Sequence, residues 1–468
     1  MPAASYPNIS LTSDRFVYAL FLGLLVWLPM PLGSNRPWAW HLLELITFGL
    51  CAWWVALHWR GSVTAPTALR EGRTAVMCLL LFAGVMLLQL LPLPVELIAL
   101  LRPFDAQLET GSWAPVSVDT QTTWMHARTT LAFTALAFLT LALIRTPGRL
   151  RALALALLIS GTLQAVYGSL MTLSGSEYGF FIKKQHYLGN ATGTFVNRNH
   201  LANYLILCIA AGTGLLLSDL YQRSAKSWQE SGRRLLDTLL GSKVRVRIAL
   251  AMMVIALVLT RSRMGNTAFF FSLLATGFIW LWLTRRITRG SIILLISLVV
   301  IDSLIVGAWF GFDKVAERLE GTAFTKETRD EVNRDTWTLI KDQPLLGSGA
   351  GTYFEVFPRY RQQDIPIYYD HAHNDYFQFV VEHGVLGCLP LLAFILLSVR
   401  QAIATMRQRK TLQFQAMAFA PVMVVIALLL HSTVDFSLQI PANAATVVVL
   451  MTLAWVVRYM PRMKQSRS

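Results

Sequence analysis

Apolar runs of membrane-spanning length recur along the whole chain, with polar segments between them. A helix of roughly 20 apolar residues crosses the hydrocarbon core of a bilayer, because its backbone polar groups are paired internally. The pattern predicts an all-α integral membrane protein with about 12 transmembrane helices. The predicted spans are residues 16–32, 41–59, 74–92, 126–144, 152–172, 200–217, 248–260, 266–284, 291–310, 385–399, 415–434 and 443–459.

The composition and the charge distribution support the same class. Hydrophobic residues make up 54% of the chain and charged residues only 14%, whereas soluble domains carry about 25% charged residues. The net charge of +15 lies mainly in segments on one side of the predicted bundle, such as 218–247 and 458–467. By the positive-inside rule this side is cytoplasmic, and an even number of spans places both termini there. The basic segments then face membrane lipids, and no nucleic-acid partner is needed to explain them.

The segments on the other side are longer and carry most of the remaining acidic residues. The longest of them contains amphipathic stretches, which predict a partly helical loop domain on the outer face before span ten. The chain therefore divides into transmembrane helices 1–9 (residues 1–310), the loop domain (311–384), and transmembrane helices 10–12 with a cytoplasmic tail (385–468).

Neither a disulfide framework nor a metal site is indicated. All four cysteines, Cys51, Cys78, Cys208 and Cys388, lie inside apolar runs, and no Cys-x-x-Cys or Cys/His spacing typical of zinc occurs. We expect buried thiols, no metal and no cofactor.

Polar residues at the outer start of span six form the first candidate site. The stretch GTFVNRNHLANYL contains Asn197, Arg198, Asn199 and His200, and Lys184 lies just upstream. Asparagine at this place can simply cap the helix. A helix N-terminus with an arginine also binds an anion well, because free N–H groups, the helix dipole and the guanidinium act together.

A second candidate is the short outer turn LTRSRMGN, which carries Arg261 and Arg263. Both side chains can reach the headgroup region, which is the simpler interpretation. The positive-inside rule, however, disfavours arginines on this face, so the pair also predicts an anionic partner.

The third candidate is YYDHAHNDYFQFVVEHG, where His371, His373 and Asp375 precede span ten. An imidazole accepts a proton near neutral pH, and Asp370 or Asp375 can orient it, so the stretch predicts a general base. A structural helix cap is the alternative, and the spacing fits no standard metal-ligand set.

The fourth candidate is a polar pair in HSTVDFSLQIPANA, near the end of span eleven. His431 and Asp435 are four residues apart and share a helix face. We interpret them as a buried pair that fixes packing, with support of the site as the alternative.

Cations and a base on one outer face fit a defined chemistry. No nucleotide-binding motif is present, so a reaction there needs a donor that was activated beforehand. A sugar on a polyprenyl diphosphate meets this requirement: arginines neutralise the diphosphate leaving group, and a histidine takes the proton of the attacking hydroxyl.

Five stretches in this order resemble the O-antigen ligase/polymerase family. They are GTFVNRNHLANYL, TRSRMGN, DTWTLIKDQPLLGSGAGTYF, HAHNDYFQFVVEHGVLG and HSTVDFSLQIPANA, within about residues 150–445. The resemblance implies a metal-independent, GT-C-like glycosyltransferase of the bacterial inner membrane, with its active site on the periplasmic face. The donor would be a glycan on undecaprenyl diphosphate. By similarity, Arg198, Arg261 or Arg263 would hold the diphosphate and His373 would be the activating residue, with the choice between His371 and His373 open.

The acceptor separates the alternatives within the family. The chain stops soon after the last span, without the further domain expected of many protein-directed members, which favours a ligase or a polymerase. Of these two we favour a ligase whose acceptor is lipid A-core. A polymerase with a glycan acceptor and a protein O-oligosaccharyltransferase are the alternatives. A 12-span transporter is the alternative from another class, although its polar groups should then lie near the membrane midplane.

Overall fold

The computed structural model describes residues 13–101, 111–219, 242–285, 329–363, 365 and 368–461. Within these ranges the chain is mainly helical. The helices are α1 Arg15–Trp27, α2 Pro37–Trp59, α3 Thr67–Glu71, α4 Arg73–Leu88, α5 Val95–Leu101, α6 Thr120–Leu143, α7 Pro147–Leu173, α8 Arg198–Ser218, α9 Ser242–Leu259, α10 Arg263–Thr284, α11 Arg329–Asp342, α12 Tyr353–Val356, α13 Asp375–Gln408, α14 Leu412–Met417, α15 Phe419–His431 and α16 Pro441–Tyr459. The 3₁₀ turns are Leu32–Ser34, Phe357–Arg359 and Ser437–Gln439.

Two small antiparallel hairpins complete the secondary structure of the described residues. Strands β1 (Pro92–Pro94) and β2 (Trp113–Pro115) pair with Leu93 opposite Ala114. Strands β3 (Tyr178–Gly179) and β4 (Ile182–Lys183) pair with Tyr178 opposite Lys183.

The all-α membrane class is confirmed, while the number of twelve spans stays a prediction. In the described part of the chain, 8 helical segments are long and apolar enough to cross a membrane: α2, α6, α7, α8, α10, α13, the consecutive α14 and α15, and α16. Two shorter apolar helices, α1 and α4, coincide with the first and third predicted spans. The predicted span 291–310 and residues 311–328 of the predicted loop domain lie outside the described residues.

Helix α8 forms the centre of the bundle. Its residues from His200 to Leu217 are all buried, and α7, α9, α10, α14, α15 and α16 pack around it. Because lipid is as apolar as leucine, a spanning helix of this kind is held by close packing with its neighbours. Gly161 and Gly212 illustrate the closeness, since a methyl group on either would collide with side chains of adjacent helices.

Helix α13 extends the predicted span 385–399 at both ends. It begins at Asp375, where Asn374 caps it through a hydrogen bond from Phe377 N to Asn374 Oδ1 (3.2 Å). At Gly384 the backbone leaves the helical conformation (φ 65°, ψ 174°). Leu345 approaches so closely that a Cβ at Gly384 would meet its carbonyl group. Glycine is needed here because both the positive φ and the close approach exclude a side chain.

Short segments join the helices at the two ends of the bundle. We call the end at which α6, α8, α10, α13 and α16 begin the site end. There, residues of α11, α12 and the first turns of α13 form a small separate core that includes Val332, Leu339, Tyr353, Phe357 and Val381. This core positions the segment that carries His371 and His373.

A buried ion cluster stabilises the opposite end. Asp14 precedes α1 and is fully buried. Its carboxylate pairs with Arg145 (2.6 Å) and, through two nitrogens, with Arg149 (2.6 and 3.0 Å). The cluster links the start of α1 to the start of α7, and breaking such a buried pair is strongly destabilising because it leaves charges uncompensated.

Candidate active site

Three histidines from two separate stretches of the sequence meet around one phenylalanine at the site end. Phe436 stacks on the ring of His371 at 4.2 Å between centroids. The rings of His373 and His200 contact Phe436 edge-on, at 4.8 and 4.7 Å. The structure thus brings together the first, third and fourth polar stretches of the sequence analysis.

Asp435 lies beside this cluster and connects His200 to a fourth imidazole, that of His431. Its carboxylate is 3.8 Å from Nε2 of His200 and 3.9 Å from Nδ1 of His431. Burial raises the pKa of Asp435 to about 6, although hydrogen bonds from the Phe436 backbone, Ser437 and Asn199 and the charge of Arg329 act in the opposite direction. Through Asp435 the pair contacts His200 of the candidate site. Support of the site by His431 and Asp435 stays a prediction.

Asp375 connects the start of α13 to the turn after α15. Its Oδ2 accepts hydrogen bonds from Ser432 Oγ (3.0 Å) and Leu438 N (3.3 Å). Its backbone N–H donates to the carbonyls of Ser432 and Asp435 (2.9 and 3.1 Å). These contacts hold the helix start against the segment that carries Phe436, and so give Asp375 a positioning function in this geometry.

His373 has the features of a neutral base. Burial, together with the charges of Arg329 and His371, lowers its pKa to about 4. His373 adopts a positive φ of 50° directly before the cap of α13. This backbone conformation costs free energy for any residue other than glycine. Its Nδ1 is buried and has no hydrogen-bond partner within the described chain. At neutral pH His373 is therefore uncharged, which is the protonation state that a general base requires.

His371 is the second candidate base, and burial also lowers its pKa. The nearby charge of Asp370 and a hydrogen bond with Gln378 act against this shift. On protonation alone, both imidazoles are able to take a proton at neutral pH.

Arg198 begins α8 beside the histidines. Its Nη1 donates to Oδ1 of Asn190 (3.3 Å), and its guanidinium lies over the ring of Tyr187 at 5.7 Å. Asn197 caps the helix through a bond from Asn199 N to its Oδ1 (2.9 Å). The helix cap named in the sequence analysis is therefore present, and the guanidinium of Arg198 lies at the same end of the helix.

Other guanidinium groups gather around Arg198. Those of Arg261, Arg263 and Arg329 lie close enough to interact with it electrostatically. Arg261 and Arg263 are exposed, and Arg329, the first residue of α11, donates to the carbonyl of Val434 (3.2 Å). Like charges repel, so an accumulation of cations at one place is most stable when an anion lies among them.

Lys184 forms an ion pair within its own loop. Its Nζ is 2.6 Å from Oε2 of Glu177 and 2.9 Å from the carbonyl of Asn190. The same glutamate accepts from Gly189 N (2.6 Å). Lys184 thus organises the loop that carries Tyr187 and Asn190, and most of its charge is neutralised there.

Several residues at the site were not predicted. Arg329 and Tyr187 lie in segments without a motif, and Phe436 is one of 25 phenylalanines. Gln378 and Glu382 also contact the site; both lie in the third candidate stretch, four residues apart on the helix that starts at Asp375. Their relevance depends on tertiary contacts, which the sequence pattern does not reveal.

An apolar groove of about 330 Å³ lies between α2, α4, α6, α13, α15 and α16. Its lining includes Ser432 and Leu438, the two residues that donate hydrogen bonds to Asp375. Its walls are mainly hydrophobic, with Phe82, Phe133, Leu391 and Val448 among the lining side chains. A hydrocarbon chain fits such a groove by its chemistry.

Within the ranges described by the structure, no group of three or more histidine, cysteine, aspartate or glutamate residues is arranged to hold a metal ion. The candidate site consists of arginines, imidazoles and the buried carboxyl groups of Asp375, Glu382 and Asp435.

Residues 248–392 match the family model described as O-antigen ligase. The match supports assignment of this chain to the O-antigen ligase family. The matched region contains Arg261, Arg263, Arg329, His371 and His373, whereas Arg198 and Asp435 reach the site from outside it. A comparison with curated proteins gave no match. The match agrees with the resemblance found in the sequence.

Proposed function

We propose that this protein is a membrane glycosyltransferase that transfers a glycan from undecaprenyl diphosphate to an acceptor hydroxyl, with lipid A-core as the preferred acceptor. The observation that carries the proposal is the convergence, at one end of the bundle, of a guanidinium cluster with two uncharged imidazoles around Phe436. We further propose that this end faces the periplasm, that the membrane is the bacterial inner membrane and that both termini are cytoplasmic.

In the proposed reaction, Arg198, Arg261, Arg263 and Arg329 bind the diphosphate. His373 accepts the proton of the acceptor hydroxyl, while the hydroxyl oxygen forms a bond to the anomeric carbon of the donor glycan. The bond between that carbon and the diphosphate oxygen breaks, and the oxygen keeps the electron pair. Because the arginines stabilise the charge that develops on the leaving group, a strong general acid is not required.

The remaining predicted residues support this arrangement. Lys184 holds the loop beside Arg198, and Asn197 and Asn199 shape the start of α8. His200, His431 and Asp435 form the polar wall behind the two catalytic candidates. The apolar groove offers space for a lipid chain next to the reaction centre.

The test is a deletion strain complemented with the wild-type protein or with His373→Ala. For a ligase, the deletion strain should accumulate lipid-linked glycan and contain a bare lipid A-core, and His373→Ala should not restore transfer. The control is His58→Ala, which should restore transfer, because His58 lies in the last turn of α2, away from the candidate site. Lipid A-core that carries a single repeat would instead identify a polymerase.

The test also separates the other classes. Loss of glycosylated protein with unchanged lipopolysaccharide would identify a protein O-oligosaccharyltransferase. If His373→Ala abolished movement of a substrate across the membrane while glycan transfer continued, the transporter would be correct and the glycosyltransferase proposal wrong.

A further inference from the structure

A buried amide lies between one of the two imidazoles and a buried carboxylate. Nε2 of Gln378 is 2.9 Å from Nδ1 of His371 and 2.9 Å from Oε1 of Glu382. Gln378 and Glu382 are each only 1% exposed. They are four residues apart, which places them on the same face of the first turns of α13.

The surroundings determine which way the amide of Gln378 points. Its Oε1 accepts a hydrogen bond from Ala372 N (3.2 Å). Its Nε2 donates to Glu382, whose carboxyl group also receives the backbone N–H groups of Gly351 and Tyr353. Three donors thus converge on this carboxyl group. Exchanging the amide oxygen and nitrogen of Gln378 would point the amide nitrogen at the N–H of Ala372, so that two donors would face each other.

The segment around Glu382 is itself held firmly. Gln89 donates through Nε2 to the carbonyls of Leu346 and Glu382 (2.7 and 2.8 Å) and accepts from Ala350 N (3.3 Å). These bonds link the end of α4, the loop before α12 and the break in α13. The carboxyl group of Glu382 is thus part of a rigid frame, as a positioning function requires.

The orientation of the amide assigns the tautomer of His371. With one N–H of Gln378 Nε2 directed to Glu382, the other is directed to Nδ1 of His371, which accepts it. The contact from Nδ1 to Oε1 of Gln378 is longer, at 3.2 Å. A neutral imidazole has one bare and one protonated nitrogen, so Nε2 of His371 carries the hydrogen.

We propose that Gln378 and Glu382 hold His371 as the Nε2–H tautomer, so that His371 is a hydrogen-bond donor to the substrate and His373 is the base. The proposal rests on the proposed glycosyl transfer. The acceptor of the Nε2–H is an oxygen of the diphosphate leaving group. It gains negative charge as its bond to the anomeric carbon breaks, and no proton has to move from His371. Gln378 and Glu382 act through His371 and are positioning residues.

The first experiment compares substitutions that keep or remove a donor. In His371→Gln the side-chain amide supplies an N–H but cannot act as a base, so we expect kcat within about tenfold of wild type. His371→Ala should lose about 100-fold or more in kcat, as for other donors to a developing oxyanion. His373→Gln should lose about 100-fold or more, because it removes the base. Equal loss in His371→Gln and His371→Ala, with an active His373→Gln, would make His371 the base and overturn the proposal.

The second experiment observes the tautomer without any turnover. Nitrogen–proton correlation spectra of the full chain, labelled with ¹⁵N-histidine in detergent, distinguish Nε2–H from Nδ1–H imidazoles. The signal missing in His371→Gln identifies His371, and His58→Gln serves as the matched histidine control. We expect Nε2–H in the wild type and a mixture of tautomers in Gln378→Met, which removes the amide at similar size.

The kinetics of Gln378→Met complete the test. We expect kcat to fall about tenfold with an unchanged KM for the donor, because His371 is still present but no longer fixed. An Nδ1–H signal or an imidazolium signal in the wild type would refute the tautomer assignment. If the tautomer is as expected but the wild type transfers no glycan, the proposed function is wrong and the tautomer assignment stands.

Discussion

Replacing Arg198 by glutamine should separate binding from stability. Arg198 lies in a cluster of guanidinium groups, so in the free protein it experiences repulsion as well as attraction. With a diphosphate bound, the same charge becomes favourable. We therefore expect donor use to fall while the folded protein is hardly affected.

The magnitudes follow from the contacts. A hydrogen bond to a charged group contributes about 1.5–3 kcal/mol. Since 1.4 kcal/mol corresponds to a factor of ten, kcat/KM for the donor should fall about 10- to 150-fold. In the free protein, Arg198→Gln loses the bond to Asn190, about 0.5–1.5 kcal/mol, and the contact with Tyr187, about 0.5–1 kcal/mol. Relief of the repulsion from the other arginines offsets much of this, so the net change should stay within about 1 kcal/mol.

The assay measures glycan transfer in detergent at varied donor concentration, together with the melting temperature. Arg151→Gln is a suitable control because Arg151 pairs through two nitrogens with Asp219 (2.9 and 3.0 Å) at the opposite end of the bundle. It should lower the melting temperature without changing the kinetics. Unchanged donor kinetics in Arg198→Gln, or a marked loss of stability with normal kinetics, would refute the assignment of Arg198 to the diphosphate.

Further predictions concern the base, the buried ion cluster and metal dependence. Because the charge of Arg329 lowers the pKa of His373, Arg329→Gln should raise that pKa and move the acidic limb of the pH profile of kcat/KM to higher pH. The control Arg359→Gln should leave this limb in place. An acidic limb that does not move in Arg329→Gln would contradict the electrostatic argument. Asp14→Asn removes one partner of a fully buried ion cluster, so it should destabilise the protein by about 3–5 kcal/mol while the folded fraction keeps a normal KM for the donor; a melting temperature close to that of the wild type would show that the cluster contributes little. EDTA should leave transfer unchanged, and inhibition that a divalent ion reverses would overturn the metal-independent mechanism.

The hydrophobic pattern by itself determined the fold class and the approximate helix positions. A lipid-facing helix needs a long apolar run, so the signal is local and survives without knowledge of the neighbours. The ends of the helices were less certain, as α13 shows. Its start at Asp375 depends on a cap by Asn374 and on the turn that contains Ser432 and Leu438, and its break at Gly384 accommodates the chain around Leu345.

The sequence also determined which residues were candidates for chemistry. Two features can be recognised from their positions in the sequence alone: arginines on the face that the positive-inside rule disfavours, and histidines directly before an apolar run. Of these, the structure places Arg198, Arg261, Arg263, His371 and His373 at the same end of the bundle. Their roles in transfer remain predictions.

Only the tertiary structure decided how these groups are combined. Tertiary contacts place Arg329 close enough to His373 to affect its pKa, and they bring three histidines together on Phe436. They also pair Lys184 with Glu177. Distances between such residues depend on how the helices pack, and periodicity along one helix carries no information about its neighbour. For the same reason the amide of Gln378, which distinguishes the two imidazoles, became visible only in the folded chain.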